Sequence, residues 1–117
     1  MQDNPIVQAN IEIVRRYNTL IQTSKIESSL KHRLLSMGIH LISNPDMHLD
    51  KQSRWLGFIQ GVLFSNNLLD INEERDITRP LFHSAYRELD MKIPETVDLT
   101  IASEEELLVS CYKDLYD

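Results

Sequence analysis

Arg75, Arg79, His83 and Arg87 recur at steps of four. On a continuous helix that spacing stacks the side chains into one slowly drifting cationic row. Guanidinium and imidazole groups in a row suit the clamping of phosphate or carboxylate oxygens. A second cationic group lies upstream, where Lys51 precedes Arg54 by one turn. Gly57 and Gly61 follow Arg54 on the same side of a helix. Each glycine in a helix interior costs roughly 1 kcal/mol relative to alanine. A bare stripe lets a backbone or a ligand come close. The plainer alternative is tight packing of the stripe against a neighbouring helix. For the charge row the plainer alternative is a solvated face, with Asp76 pairing Arg79 and Asp90 pairing Arg87. Lys51, Arg54, Gly57, Gly61, Arg75, Arg79 and His83 are therefore the candidate ligand- or partner-binding residues.

The acids are read in the same way. Asp70, Glu73, Glu74 and Asp76 could hold a magnesium ion, but carboxylates in a first helical turn more often complement the helix dipole. Glu104, Glu105 and Glu106 follow a helix cap and allow the same reading. Their sharper reading is an acidic surface that docks a basic partner. His32, His40, His48 and His83 form no i, i+4 pair with another histidine or with cysteine, so no metal site is expected. No glycine-rich phosphate loop and no nucleophile elbow occurs. No catalytic residue and no cofactor is assigned.

The totals bound the function classes. A chain of 117 residues fits one domain, 1–117, with a core that needs no metal or disulfide. The net charge is −6, and it is uneven. Residues 88–117 carry nine acids and two lysines, net −7, while residues 1–87 are near neutral at +1. That balance argues against direct nucleic-acid binding, which needs a basic footprint. The longest apolar stretch, Trp55 to Phe64, is broken by Gly57, Gln60 and Gly61, and no membrane span is expected. The single Cys111 reads as a small buried hydrophobe, and a reducing cytoplasm is the natural compartment.

The elements that position these residues are helices. Three glycines are too few for an all-β fold rich in tight turns. Asn4-Pro5 predicts the start of a first helix carrying Ile13, Tyr17 and Ile21. Ser24-Lys25-Ile26-Glu27 reads as a capping box that opens a second helix, which Pro45 ends. A third helix is expected over about 50–66, with Trp55, Phe58, Ile59, Val62 and Leu63 on its apolar face and Asn66-Asn67 closing it. It is placed at the centre of the bundle. The fourth starts near Asp70, carries Ile77, Leu81, Ala85 and Leu89 inward, and is expected to kink or split at Pro80. Residues 90–101 read as an extended connector, and a last helix opens at Ser103. The fold class is thus all-α, a compact bundle of four to six helices.

The segment Lys51-Gln52-Ser53-Arg54-Trp55-Leu56-Gly57-Phe58-Ile59-Gln60-Gly61-Val62-Leu63 resembles a pattern in small bacteriophage accessory proteins. In these a basic residue and RWLGFxQG precede a charged helix. Glu74 to His83 is similar to their downstream segment, so the resemblance covers about a third of the chain. It implies a phage protein acting in the bacterial cytoplasm and assigns no catalytic residue. The leading expectation is a non-catalytic accessory protein that binds a host protein of the defence or gene-expression machinery. The alternative is a binder of a small phosphorylated ligand such as a signalling nucleotide, in a homo-oligomer whose interfaces build the pocket. A small hydrolase ranks last.

Overall fold

The computed structural model describes residues 4–94, which form four α-helices and no strand. These are α1 (Pro5–Gln22), α2 (Ser28–Ser43), α3 (Leu49–Ser65) and α4 (Ile71–Glu88). The chain is an all-α bundle. The connector beyond residue 94, the helix expected from Ser103, Cys111 and the acidic group Glu104, Glu105 and Glu106 lie outside the described residues.

Local chemistry sets most helix ends. The Asn4 carboxamide oxygen accepts the Ile6 N–H at 2.9 Å, and Pro5 occupies the first turn, where its missing N–H costs nothing. The Asp70 carboxylate accepts the N–H groups of Asn72 and Glu73 at 2.8 and 3.1 Å. α3 closes through Asn67 at φ 60. The Asn67 and Leu68 N–H groups return to the carbonyls of Phe64 and Leu63 at 3.0 and 2.9 Å. Asp90 closes α4 in the same way at φ 56. In this glycine-poor chain, asparagine and aspartate take the left-handed positions that glycine usually fills.

The start of α2 differs from expectation. Ser24 does not cap it. Its hydroxyl donates to the Ile21 carbonyl at 2.7 Å and so finishes α1. Glu27 is the cap, accepting the Ser29 and Leu30 N–H groups at 2.8 and 3.0 Å. A carboxylate that accepts two N–H groups at a helix N-terminus outcompetes a hydroxyl three residues away. Those two bonds hold the Glu27 carboxyl below the usual glutamate range.

Pro80 does not divide α4, which runs unbroken from Ile71 to Glu88. The carbonyl that Pro80 cannot serve belongs to Asp76, and both residues are exposed, so that carbonyl is not sealed in the core without a donor.

The centre of the bundle is α1 rather than α3. α1 packs against all three other helices. The reason is the width of its apolar surface. At about 100° per residue, its buried positions Val7, Ala9, Ile11, Ile13, Val14, Tyr17 and Ile21 cover more than half its circumference. α3 buries only Gln52, Ile59 and Leu63, a narrow line. Phe58, expected inside, is 48% exposed, and Trp55 is half-buried. Ile77 and Leu89, expected on the inner side of α4, are exposed, whereas Ala85 is buried as expected and Glu74 is buried with it.

Two polar networks cross this core. Tyr17 donates its hydroxyl to the Glu74 carboxylate, which also accepts from Arg16. Gln60 donates to the Tyr17 hydroxyl oxygen at 2.9 Å, so α1, α3 and α4 meet at one phenol. Burial, and then the bond to Glu74, push the Tyr17 hydroxyl well above the usual tyrosine range. The second network joins Asn10 to Gln52 at 3.0 Å. Gln52 also donates to the Met47 carbonyl at 2.7 Å, fixing the α2–α3 loop.

Candidate functional site

The buried line of α3 points its opposite face outward, and Arg54, Gly57 and Gly61 lie on that face. A Cβ added at Gly57 or Gly61 meets nothing within 4 Å. Close packing of this stripe against a neighbouring helix is therefore not found among the described residues. The close approach instead occurs at Gly38 in α2, where an added Cβ would lie 2.2 Å from the Asn18 Oδ1 of α1. Two aromatic rings flank the open stripe: Phe58 is 48% and Phe64 is 49% exposed. Arg54 stands beside them, with a 72% exposed side chain and Asp50 at 3.7 Å. An exposed i, i+4 pair of that length is weak, and Arg54 remains available to a partner.

The other cationic candidates are placed separately. Arg75, Arg79 and His83 lie on α4 and are half-buried. The His83 ring is 6.5 Å from that of Tyr86. α3 and α4 each pack on α1 and make no extensive contact with one another. The structure thus does not join the Lys51/Arg54 group to the α4 row through a shared helix contact.

Lys51 belongs to a different arrangement, which the sequence reading missed. Its Nζ sits 5.1 Å from the centre of the Trp55 ring, and the His40 ring is 5.4 Å from the same ring at 40°. Beside this trio opens a cleft of about 480 Å³ between α2 and α3. Its polar lining is Ser29, His32, Arg33, Ser36 and His40 from α2, with Trp55 across from them and Met37 as an apolar wall. A second depression of about 410 Å³ shares His40 and continues past His48 and Lys51. The signal for the cleft was present in the sequence as polar residues at 29, 32, 33, 36 and 40. Helical spacing puts these on one side of α2. Metal-ligand spacing does not reveal it, because the cleft's donors are imidazoles mixed with a guanidinium and hydroxyls.

This arrangement can hold anions and flat rings. Imidazole, guanidinium and hydroxyl donors line the cleft with the indole, and the Lys51 ammonium lies over the ring. No group of three or more metal-ligating side chains occurs among the described residues. No helix of the described residues is long and apolar enough to cross a membrane. Compared with protein-family models, curated proteins and solved structures, the chain gives no match.

Proposed function

We propose that this chain is a non-catalytic bacteriophage accessory protein that acts by binding a protein of the host bacterium, with the outer face of α3 as its contact. The observation that carries the reading is the open glycine stripe. Gly57 and Gly61 have free space above them, between two half-exposed phenylalanines and Arg54. Two helix-interior glycines cost about 2 kcal/mol together. A partner backbone laid along the stripe regains that cost through close contact, with the rings as apolar anchors and Arg54 as a polar one. The resemblance of residues 51–63 to phage accessory proteins supports the context, the bacterial cytoplasm, and host defence or gene-expression machinery as the target class. A homo-oligomer would use the same physics, and light scattering distinguishes a second copy from a host protein.

The test is capture from bacterial lysate. The wild-type chain is expected to retain one protein in stoichiometric amount. The Gly57→Leu/Gly61→Leu variant fills open space, keeps its helical circular dichroism and loses the captured protein. Equal capture by a folded variant would remove the contact from this face. The second reading, a binder of a small phosphorylated ligand, is favoured by the α2–α3 cleft.

A further inference from the structure

The α2–α3 cleft differs in charge from the rest of the molecule. Residues 1–87 are near neutral at +1, yet the lining of the cleft and its extension holds Arg33, Lys51, His32, His40 and His48 against one carboxylate, Asp46. Asp46 lies in the second depression and not in the first. Arg33 is exposed, and no hydrogen bond or ion pair engages it among the described residues. Arg33, His32 and His40 line the cleft itself, and Lys51 and His48 line the depression that shares His40; cationic and imidazole groups along a concave wall focus positive potential there.

The second half of the chemistry is aromatic. Trp55 is half-buried at the edge of the α3 core, with part of its indole forming the cleft wall. Lys51 and His40 lie against the indole at 5.1 and 5.4 Å. These contacts hold the ring in place, so a planar ligand meets a surface that is already ordered. The Ser29 and Ser36 hydroxyls sit on the same α2 side as Arg33. They add neutral donors of the kind that complete a phosphate cradle. The volume of about 480 Å³ lies within the usual span of small-molecule sites.

We propose that the cleft lined by His32, Arg33, His40 and Trp55 binds a small phosphorylated ligand carrying an aromatic ring, of the nucleoside monophosphate class. Arg33 and His32 receive the phosphate oxygens, with help from the serine hydroxyls. Trp55 and His40 receive the ring. A nucleic-acid polymer is disfavoured, because its neighbouring phosphates would meet a molecule of net negative charge. The inference is independent of partner binding by the α3 outer face, since filling Gly57 and Gly61 leaves the cleft lining untouched.

Trp55 is the only tryptophan in the chain, so its fluorescence reports on this cleft alone. The experiment titrates the full chain with each of the four common nucleoside monophosphates, correcting for ligand absorbance. Parallel titrations use the matching nucleosides and inorganic phosphate. All are taken to about 10 mM, where even a millimolar affinity nears saturation. At least one nucleotide is expected to give a saturable change and a rise in Tm. The bare nucleoside and phosphate should each bind at least tenfold more weakly. Arg33→Ala should weaken the nucleotide at least tenfold, while Lys25→Ala leaves it unchanged. The Trp55→Phe variant, followed by thermal shift, should weaken it severalfold. No response in either readout overturns the proposal. Equal response to phosphate alone overturns the aromatic half, and equal response to the nucleoside overturns the anionic half. Undiminished binding by a folded Arg33→Ala variant overturns the location.

Discussion

The Tyr17 hydroxyl donates to the carboxylate of Glu74, a side chain only 1% exposed and placed in the first turn of α4. Arg16 supplies the opposite charge on the same carboxylate, and Gln60 closes the set from α3. The carboxylate is thus the point at which α4 is registered on α1. Removing one member of such a set leaves the others buried without partners.

Glu74→Ala should therefore destabilise the fold by about 3 kcal/mol, near the lower end for a broken buried pair because Arg16 is partly solvated. Tyr17→Phe should cost about 1–2 kcal/mol. The double variant should cost less than the sum, since both changes dismantle one network. Urea denaturation of the three variants measures this, and strict additivity would mean that the groups act separately.

The same phenol makes stability fall at alkaline pH. Its proton is held above the ordinary tyrosine value of 10.0 by burial and by Glu74. Below that pH both folded and unfolded chains keep the proton and the stabilisation is complete. Above it the unfolded chain ionises first, and stability falls with each further rise in pH. Tm scans from pH 8 upward should show a shallower decline in Tyr17→Phe than in wild type. Parallel curves would deny Tyr17 this role.

Glu27 acts at the other end of the pH scale. Its cap bonds lower its pKa from the ordinary 4.5, so its contribution is complete above that value. It is lost as pH falls through the depressed value, where the folded chain must also take up the proton. Glu27→Gln should lower Tm at neutral pH, and the gap to wild type should close in acid. A gap that persists at pH 2 would show that the bonds do not depend on charge.

The three glycines should respond in opposite directions to alanine. Gly38→Ala places a methyl 2.2 Å from the Asn18 Oδ1, a buried atom with no hydrogen-bond partner to hold it. Asn18 or the α1–α2 spacing must move, at a cost of about 1–3 kcal/mol. Gly57→Ala and Gly61→Ala meet open space and should each stabilise by about 0.5–1 kcal/mol. Thermal melts of the three variants check the signs. Destabilisation at Gly57 or Gly61 would mean that the outer face of α3 is covered in solution.

The left-handed residues offer a further check on local reasoning. Asp90→Gly and Asn67→Gly relieve side-chain crowding at φ 56 and 60, and each should raise stability by a few tenths to about 1 kcal/mol. Chemical denaturation resolves a change of that size. Unchanged or lower stability would show that these side chains make compensating contacts.

Most helix ends are legible in the sequence, because caps act over a few residues. Asn4-Pro5, Pro45, Asn66-Asn67 and Asp70 each ended or began a helix where their chemistry placed them. The local rule erred where two caps competed, at Ser24 and Glu27, and where solvent relieved a proline, at Pro80. The all-helical class followed from the same short-range signals and from apolar spacing.

The choice of buried face was a tertiary matter. Phe58 and Ile77 fit a helical apolar stripe but face outward, while Glu74, apparently a dipole complement, lies under Tyr17 and Arg16. The cationic row of α4 was visible as spacing, but its relation to Lys51 and Arg54 depended on how α3 and α4 each pack on α1. The cleft at Trp55 required two helices at once, His32 to His40 from one and Trp55 from the other. By itself the sequence determined the four helices of residues 4–94, most of their ends and a surplus of acid. Only the packing decided which faces meet, because burial depends on what lies across from a residue and not on its neighbours in the chain.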